Sequence, residues 1–330
     1  MIISKPETYE DNMIDNINYI LDDTSASINS PYGEAPVSEM NIIQRKFLNG
    51  IIRQNKPKKI LELGVSAGGS SAIILNAIND IDNSFLHSID YSDKYYRNPS
   101  KEVGWIVKEK FNNITSKWKL YTGATAANFI EEIGYDIDIC LLDTMHINPG
   151  EFIDLLIILP YMKKGGIIIL HDTSMHIYPR LGYSYTNGVL FSCLKGKKFN
   201  TSESTIKDVG NIGAVILDEN IMEYVFDYFY LLTLPWQYLP KLEDIINIEN
   251  IFSKHYESHL VKLFSNIFSY YYDILKKDEI KAEVRNIDEV RNIDEVRNID
   301  NKLNKLIDSI AWWIPIRKWR DNFRNKILKS

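Results

Sequence analysis

The chain has 330 residues, 45% hydrophobic and 25% charged, with a formal net charge of −6. That length allows two domains, or one large domain with an extension, and an acidic chain of ordinary globular composition excludes a general nucleic-acid binder. The two cysteines, Cys140 and Cys193, form no CxxC pair, which argues against a zinc site or a disulfide framework and fits a reducing cytoplasm. No apolar run approaches the roughly 20 residues of a membrane span, and the N-terminal MIISKPETYEDN lacks the apolar segment of a signal peptide.

Residues 1–37 are mixed and polar, with a turn-rich NSPYGEAP at 29–36. A helix is expected next, with Ser38 as N-cap and Met40, Ile43, Phe47 and Ile51 at helical spacing. Strand patterns then follow at 58–64, 84–90, 118–123, 137–143 and 165–172, with helical patterns between them, and a late strand at 211–219. Continuous apolar strands alternating with helices imply a mostly parallel, doubly wound α/β sheet covered on both faces. This domain is expected over 38–220.

Residues 221–282 are aromatic and helical in pattern, and are expected to pack on the first domain or on a second subunit of a homo-oligomer. Within 283–308 the hexapeptide VRNIDE occurs at 284–289 and 290–295 and returns as VRNIDN at 296–301. Its apolar residues fall every third position, so they wind around a helix with about 3.6 residues per turn. No heptad coiled-coil seam results, and a charged helical spacer is the reading favoured. The last segment, 309–330, combines Trp312, Trp313 and Trp319 with six cations against Asp321 alone. It suits either peripheral contact with an anionic membrane, on its cytoplasmic face, or a terminal helix docked by its tryptophans.

The stretch ILELGVSAGGSSAIILNAI, Ile60 to Ile78, reads as strand, tight glycine loop and helix start, a layout that approaches nucleotide-like ligands. A dinucleotide site asks for GxGxxG. Here the loop is Gly64-Val65-Ser66-Ala67-Gly68-Gly69, preceded by Glu62. An acid there would repel a pyrophosphate and could meet an ammonium group, which favours S-adenosylmethionine. Asp90, at the end of the second strand, can accept both hydroxyls of a ribose. At the ends of two later strands, LLDTMH carries Asp143 and His146, and LHDTS carries His171 and Asp172. Strand ends converge in such sheets, so these groups should meet beside the ligand. A histidine with an ordinary pKa near ~6.5 can take a proton from a hydroxyl at neutral pH.

With E-x-G-x-x-x-G, Asp90 and the order of elements, residues 38–217 resemble the class I S-adenosylmethionine-dependent methyltransferases, and the resemblance implies a Rossmann-like seven-stranded sheet. It further implies that Glu62, Gly64, Ser66 and Gly68 cradle the methionine moiety. Backbone N–H groups near Ser70 or Ser71 would meet its carboxylate, Asp90 the ribose, and Gly123-Ala124 the adenine edge. D-x-x-H followed by H-D-T is similar to the branch of macrolide, cephamycin and sugar O-methyltransferases, with catechol O-methyltransferase more distant. There the acids matching Asp143 and Asp172 hold magnesium, and Thr173 stands where catechol O-methyltransferase has a ligating Asn. His146 takes the offset of the catalytic base, and His171 would orient Asp172. The function implied is O-methylation of a small-molecule or saccharide hydroxyl, for example in surface glycan synthesis. Two rivals are a non-catalytic S-adenosylmethionine-binding assembly protein and a nicotinamide-dependent sugar oxidoreductase.

Overall fold

The computed structural model describes residues 12–201 and 209–276, with Asn301 and Lys305. Its strands are β1 (Lys59–Leu63), β2 (Phe85–Asp90), β3 (Trp118–Thr122), β4 (Ile137–Leu142), β5 (Met162–His171), β6 (Gly196–Asn200) and β7 (Ile212–Leu217). They form one seven-stranded sheet in the order β3-β2-β1-β4-β5-β7-β6. β1 to β5 pair in parallel, and β7 runs antiparallel to both β5 and β6. The helices include α1 (Asn18–Leu21), α2 (Ile42–Asn55), α3 (Gly69–Ile78), α4 (Trp105–Lys110), α5 (Ile130–Ile133), α6 (Gly150–Ile158), α7 (Thr186–Cys193), α8 (Val225–Leu231) and α9 (Leu242–His255).

The apolar strands are buried on both faces, as a sheet sandwiched between helices requires. Ile60, Leu86, Ile139, Leu141 and Ile169 share one core with Phe47, Ile51, Ile73 and Ile74 from α2 and α3. The alternate residues Leu61, Cys140, Leu142, Ile168 and Leu170 are equally buried, and point the other way because side chains alternate along a strand. α6 packs against β4, α8 and α9. Six strands stand where the apolar runs lead one to look. β6 was not expected, because GKKFN is polar: its lysines are exposed, and only Phe199 is buried. Lysines on a sheet edge oppose pairing with another chain.

Two features differ from expectation. α2 is capped by Asn41, not Ser38. The Asn41 side chain accepts from Ile43 N and Gln44 N, and Gln44 Oε1 accepts from Asn41 N at 3.1 Å. This reciprocal box leaves Ser38 buried against Gly69, where a Cβ would come within 2.7 Å of Ser38 Cα. Second, the described residues up to Ser269 form one compact unit, so the extension to that point belongs with the sheet, and a second unit begins at Tyr270. The repeats over 284–300 and the basic aromatic segment 309–330 lie outside the described residues. Among the described residues no helix is long and apolar enough to cross a membrane.

The strand order places a topological switch between β1 and β4. From β1 the chain builds outward through β2 to β3, then returns to build β4 and β5 on the other side. Crevices outside the carboxyl ends of two such strands are where ligands sit in open α/β sheets. Gly64 leaves β1 there and Asp143 leaves β4.

Candidate functional site

The glycine loop is shaped by steric need. Gly64 has φ +88°, and a Cβ on it would lie 1.8 Å from the Asp143 carbonyl oxygen. Glycine is therefore obligatory where the two strand exits touch. Asp143 N donates to Leu63 O at 2.9 Å, sealing the same contact. Gly68 has φ +96° and caps α3, and a Cβ there would sit 3.0 Å from Gly104 Cα. Between them, Val65 N and Ser66 N donate to Asp90 Oδ2 at 2.9 and 3.0 Å, and Ser92 N donates to Oδ1 at 2.8 Å. Asp90 thus ties the loop to β2 while still facing the crevice.

Glu62 does not face the crevice. It is fully buried beneath the loop, and Ser70 Oγ reaches its Oε1 at 2.5 Å while Ser71 and Ser88 Oγ reach Oε2 at 2.6 Å. Burial lifts its pKa to about 7 against the pull of these three hydroxyls, and Asp143 adds a smaller upward push. The expectation of Glu62 against an ammonium group is corrected accordingly: its oxygens are taken up by serines. Ser70 and Ser71 likewise turn their hydroxyls inward. Their backbone N–H groups lie in the first turn of α3, where helix geometry supplies no partner.

A cavity of about 480 Å³ opens at the switch point. That is a small-ligand volume. Its walls include Gly64, Ser66, Asp90, Ala124 and Asp143 from the expected set. Gly68, Gly123, Glu62, Ser70 and Ser71 stand behind it; Gly123, at φ +85°, turns the chain against Asp93. The opposite wall was not foreseen. It comes from the extension, through Tyr238 to Lys241, Asp244 and Ile248. Asn148, fully buried, anchors that wall. Its Nδ2 donates to Leu234 O and Pro235 O at 2.6 and 3.0 Å, its backbone N donates to Gln237 Oε1 at 2.7 Å, and Gln237 N returns a bond at 2.8 Å to Asn148 O.

At the Asp143 end the reactive groups converge as the motifs lead one to expect. Ligand atoms of Asp143, His146 and Asp172 lie within 4.8 Å of one another. His146 Nε2 is 3.6 Å from Asp143 Oδ1 and 3.3 Å from Asp172 Oδ2. His171 Nδ1 faces the same two oxygens at 3.2 and 3.4 Å, and its Nε2 lies 3.3 Å from Gln44 Oε1. The helix cap of α2 therefore reaches the cluster. Burial pulls the pKa of both histidines down, but neighbouring carboxylates outweigh it. Glu151, Asp143 and Asp172 lift His146 to about 9, and Asp172 with Asp143 lifts His171 to about 9. His146 and Asp172 both have positive φ, 59° and 58°. Non-glycine residues held there store backbone strain, which tends to gather at functional sites. Fully buried Glu151 holds the His146 backbone by accepting its N–H, and Thr186 Oγ1 donates to Glu151 Oε2 at 2.7 Å.

The Thr173 hydroxyl donates to Gly210 O at 3.0 Å rather than to Asp143 or Asp172, a difference from its expected partnership with those acids. Asn211, just before β7, contacts Asp172 instead, donating from Nδ2 to Oδ1 at 2.6 Å. Because β7 is antiparallel, its beginning lies beside the end of β5, so an asparagine far along the sequence reaches the strand-end face. Two carboxylates and an imidazole suit a divalent cation, although an imidazole is a softer ligand than the all-oxygen shell magnesium favours. Asp154 was also missed. It lines the cavity, accepts from Thr144 Oγ1 at 2.9 Å, and burial with the Glu151 charge raises its pKa to about 7. An acid four residues after Gly150 carries no motif, and only the fold brings it inward.

Residues 61–173 match the model of a family described as a methyltransferase domain. No curated protein matches the chain. Among solved structures, an O-methyltransferase from Bacillus cereus in complex with SAH is similar at 17% identity and a TM-score of 0.43, covering 63% of this chain and 91% of that one. The O-methyltransferase TomG from Streptomyces achromogenes, involved in tomaymycin synthesis and solved with SAM, is similar at 13% identity and a TM-score of 0.42, covering 66% of this chain and all of that one (100%). The family match falls on the glycine loop, Asp90 and the whole D-x-x-H and H-D-T pair. Over residues 61–173 the chain is thus similar to a methyltransferase domain, and the similarity takes in the strand exits that line the cavity.

Proposed function

We propose that this methyltransferase moves the methyl group of S-adenosylmethionine to a hydroxyl of a small-molecule or saccharide acceptor. The observation that carries the reading is the continuity of one cavity from Asp90 to Asp143, with His146 and Asp172 beside its far end. Asp90 accepts from the ribose hydroxyls. The Gly64–Ser66 backbone lies along the donor, and the first N–H groups of α3 meet its carboxylate. Glu62 supports the loop from beneath. Asp143 provides the acidic wall that a sulfonium and an ammonium need, and Asp154 beside it adds charge as it loses its proton above about 7.

Methyl transfer to oxygen is an in-line displacement, and the acceptor must lose its proton. His146 is the group placed to take it. To do so it must be neutral, yet its neighbouring acids hold a proton on it up to about pH 9. A divalent cation, when bound by Asp143 and Asp172, would discharge those acids and acidify the acceptor hydroxyl. His171 bridges Asp143 Oδ1 and Asp172 Oδ2, and Asn211 holds Asp172 Oδ1, so the two carboxylates are fixed relative to each other.

The test begins with calorimetry of the purified chain against S-adenosylmethionine, its demethylated product and NADH. Binding of the first two and not the third is expected; heat from NADH alone would replace this reading with the oxidoreductase one. Labelled donor with cell-envelope extract, before and after treatment with chelator, then reads transfer. Donor binding with no transfer to any fraction would leave a binding protein rather than an enzyme of this specificity.

A further inference from the structure

The extension places a carboxylate in the cavity that no motif accounts for. Asp244 sits in the first turn of α9, is only 5% exposed, and lines the cavity. Its Oδ2 accepts from Tyr91 OH at 3.0 Å. Its Oδ1 has no hydrogen-bond donor among the described residues. The side chain is buried, yet this oxygen is not sealed off, so the cavity gives a ligand's donor access to it.

Its position indicates which part of a ligand that would be. Tyr91 directly follows Asp90, and α9 packs on the turn Ala126–Asn128 just after β3. Next to Asp90, on the β2–β3 side, the cavity is lined by Ile89, Ala124, Ala126 and Ile248, which leaves that side for the base of a nucleoside whose ribose sits on Asp90. These walls are apolar and suit a flat ring. The loop after β3 reads Gly123-Ala124-Thr125-Ala126 and contains no acid. The other cavity acids are Asp90 at the ribose, and Asp143 and Asp154 toward β4.

Resting on the donor reading above, we propose that Asp244 accepts a hydrogen bond from the exocyclic amino group of the donor's adenine. The extension beyond the family-matched segment thus supplies the residue that recognises the base. Tyr91 is its positioning residue. It occupies Oδ2 and leaves Oδ1 for the base, and Lys241 lies over the Tyr91 ring at 5.1 Å, steadying it.

The experiment is calorimetry of the full chain with S-adenosylhomocysteine and with its analogue carrying hydrogen in place of the 6-amino group. Wild type should prefer the amino compound roughly 10-fold or more, the scale of a hydrogen bond to a charged acceptor. Asp244→Ala should lose that preference by weakening the amino compound alone. Asp244→Asn, which keeps an acceptor oxygen and the shape, should retain part of it and guards against a folding defect in the first variant. Tyr91→Phe should reduce the preference without abolishing it. A wild-type preference surviving intact in folded Asp244→Ala overturns the proposal while leaving the donor reading in place. Binding of neither compound by wild type overturns both.

Discussion

Two buried acidic regions lie a few residues apart across the β1–β4 switch, and they are neutralised in opposite ways. Under the glycine loop, Glu62 is closed off and its charge is met by three serine hydroxyls. At the ends of β4 and β5, Asp143 and Asp172 are met by two imidazoles, with His146 and Asp172 on strained backbone, and Asp143 opens onto the cavity. Glu62 is enclosed by hydroxyls and keeps its proton to about pH 7, so the first region is a support closed to ligands. The imidazoles keep theirs to about 9 beside an acid that lines the cavity, so the second region holds protons at the open end. An acid's place in a motif does not say whether it touches a ligand; its partners do.

The sharpest way to break this contrast is to remove one acid partner from each region. His146→Ala should lower kcat by roughly 10²–10⁴-fold, the usual contribution of a positioned base, with donor affinity within about twofold by calorimetry. Loss of donor binding instead would move His146 from proton transfer to the donor pocket. Glu62→Ala leaves three hydroxyls, those of Ser71 and Ser88 fully buried, without their acceptor and should destabilise the fold by about 1–3 kcal/mol in urea unfolding. Glu62→Gln should recover most of that. A stable Glu62→Ala variant that no longer binds donor would return Glu62 to the ligand.

The smallest effect is in pH. Glu62 and Asp154 keep their protons to about 7 when folded, but release them near 4.5 and 3.8 in an ordinary setting. Stability from these acids therefore falls as pH rises from those values through about 7. His146 and His171 are raised from 6.5 to about 9, so their contribution is complete below 6.5 and is lost as pH climbs through about 9. The two trends have the same sign. Melting temperature in chelator should decline steadily from about pH 5.5 to 9.5. Glu62→Gln should flatten its lower part, and His146→Ala its upper part. A flat wild-type profile would erase the distinction between the two regions.

Most of the fold was legible because its strands are unbroken apolar runs with helical spacing between them. β6 was not, since an edge strand needs only one buried residue, Phe199, and otherwise carries lysines. The Asp143, His146 and Asp172 cluster was legible because strand ends of a parallel sheet converge wherever the loops go. Glu62 was misread for a physical reason: its inward orientation depends on Ser88, a residue of the neighbouring strand. Asn211, Asp154 and Asp244 were invisible for a related one. Each reaches the site through long-range packing, from the start of an antiparallel strand, from a helix flank or from the extension, and short spacing rules do not extend that far.

The contact between Gly64 and the Asp143 carbonyl has a consequence for engineering. A replacement nucleoside-binding loop cannot be grafted onto this scaffold as an independent cassette, because the exit of β4 is part of its mould. Any transplant has to carry both strand exits together, and a library that varies one while freezing the other will mostly sample chains that clash.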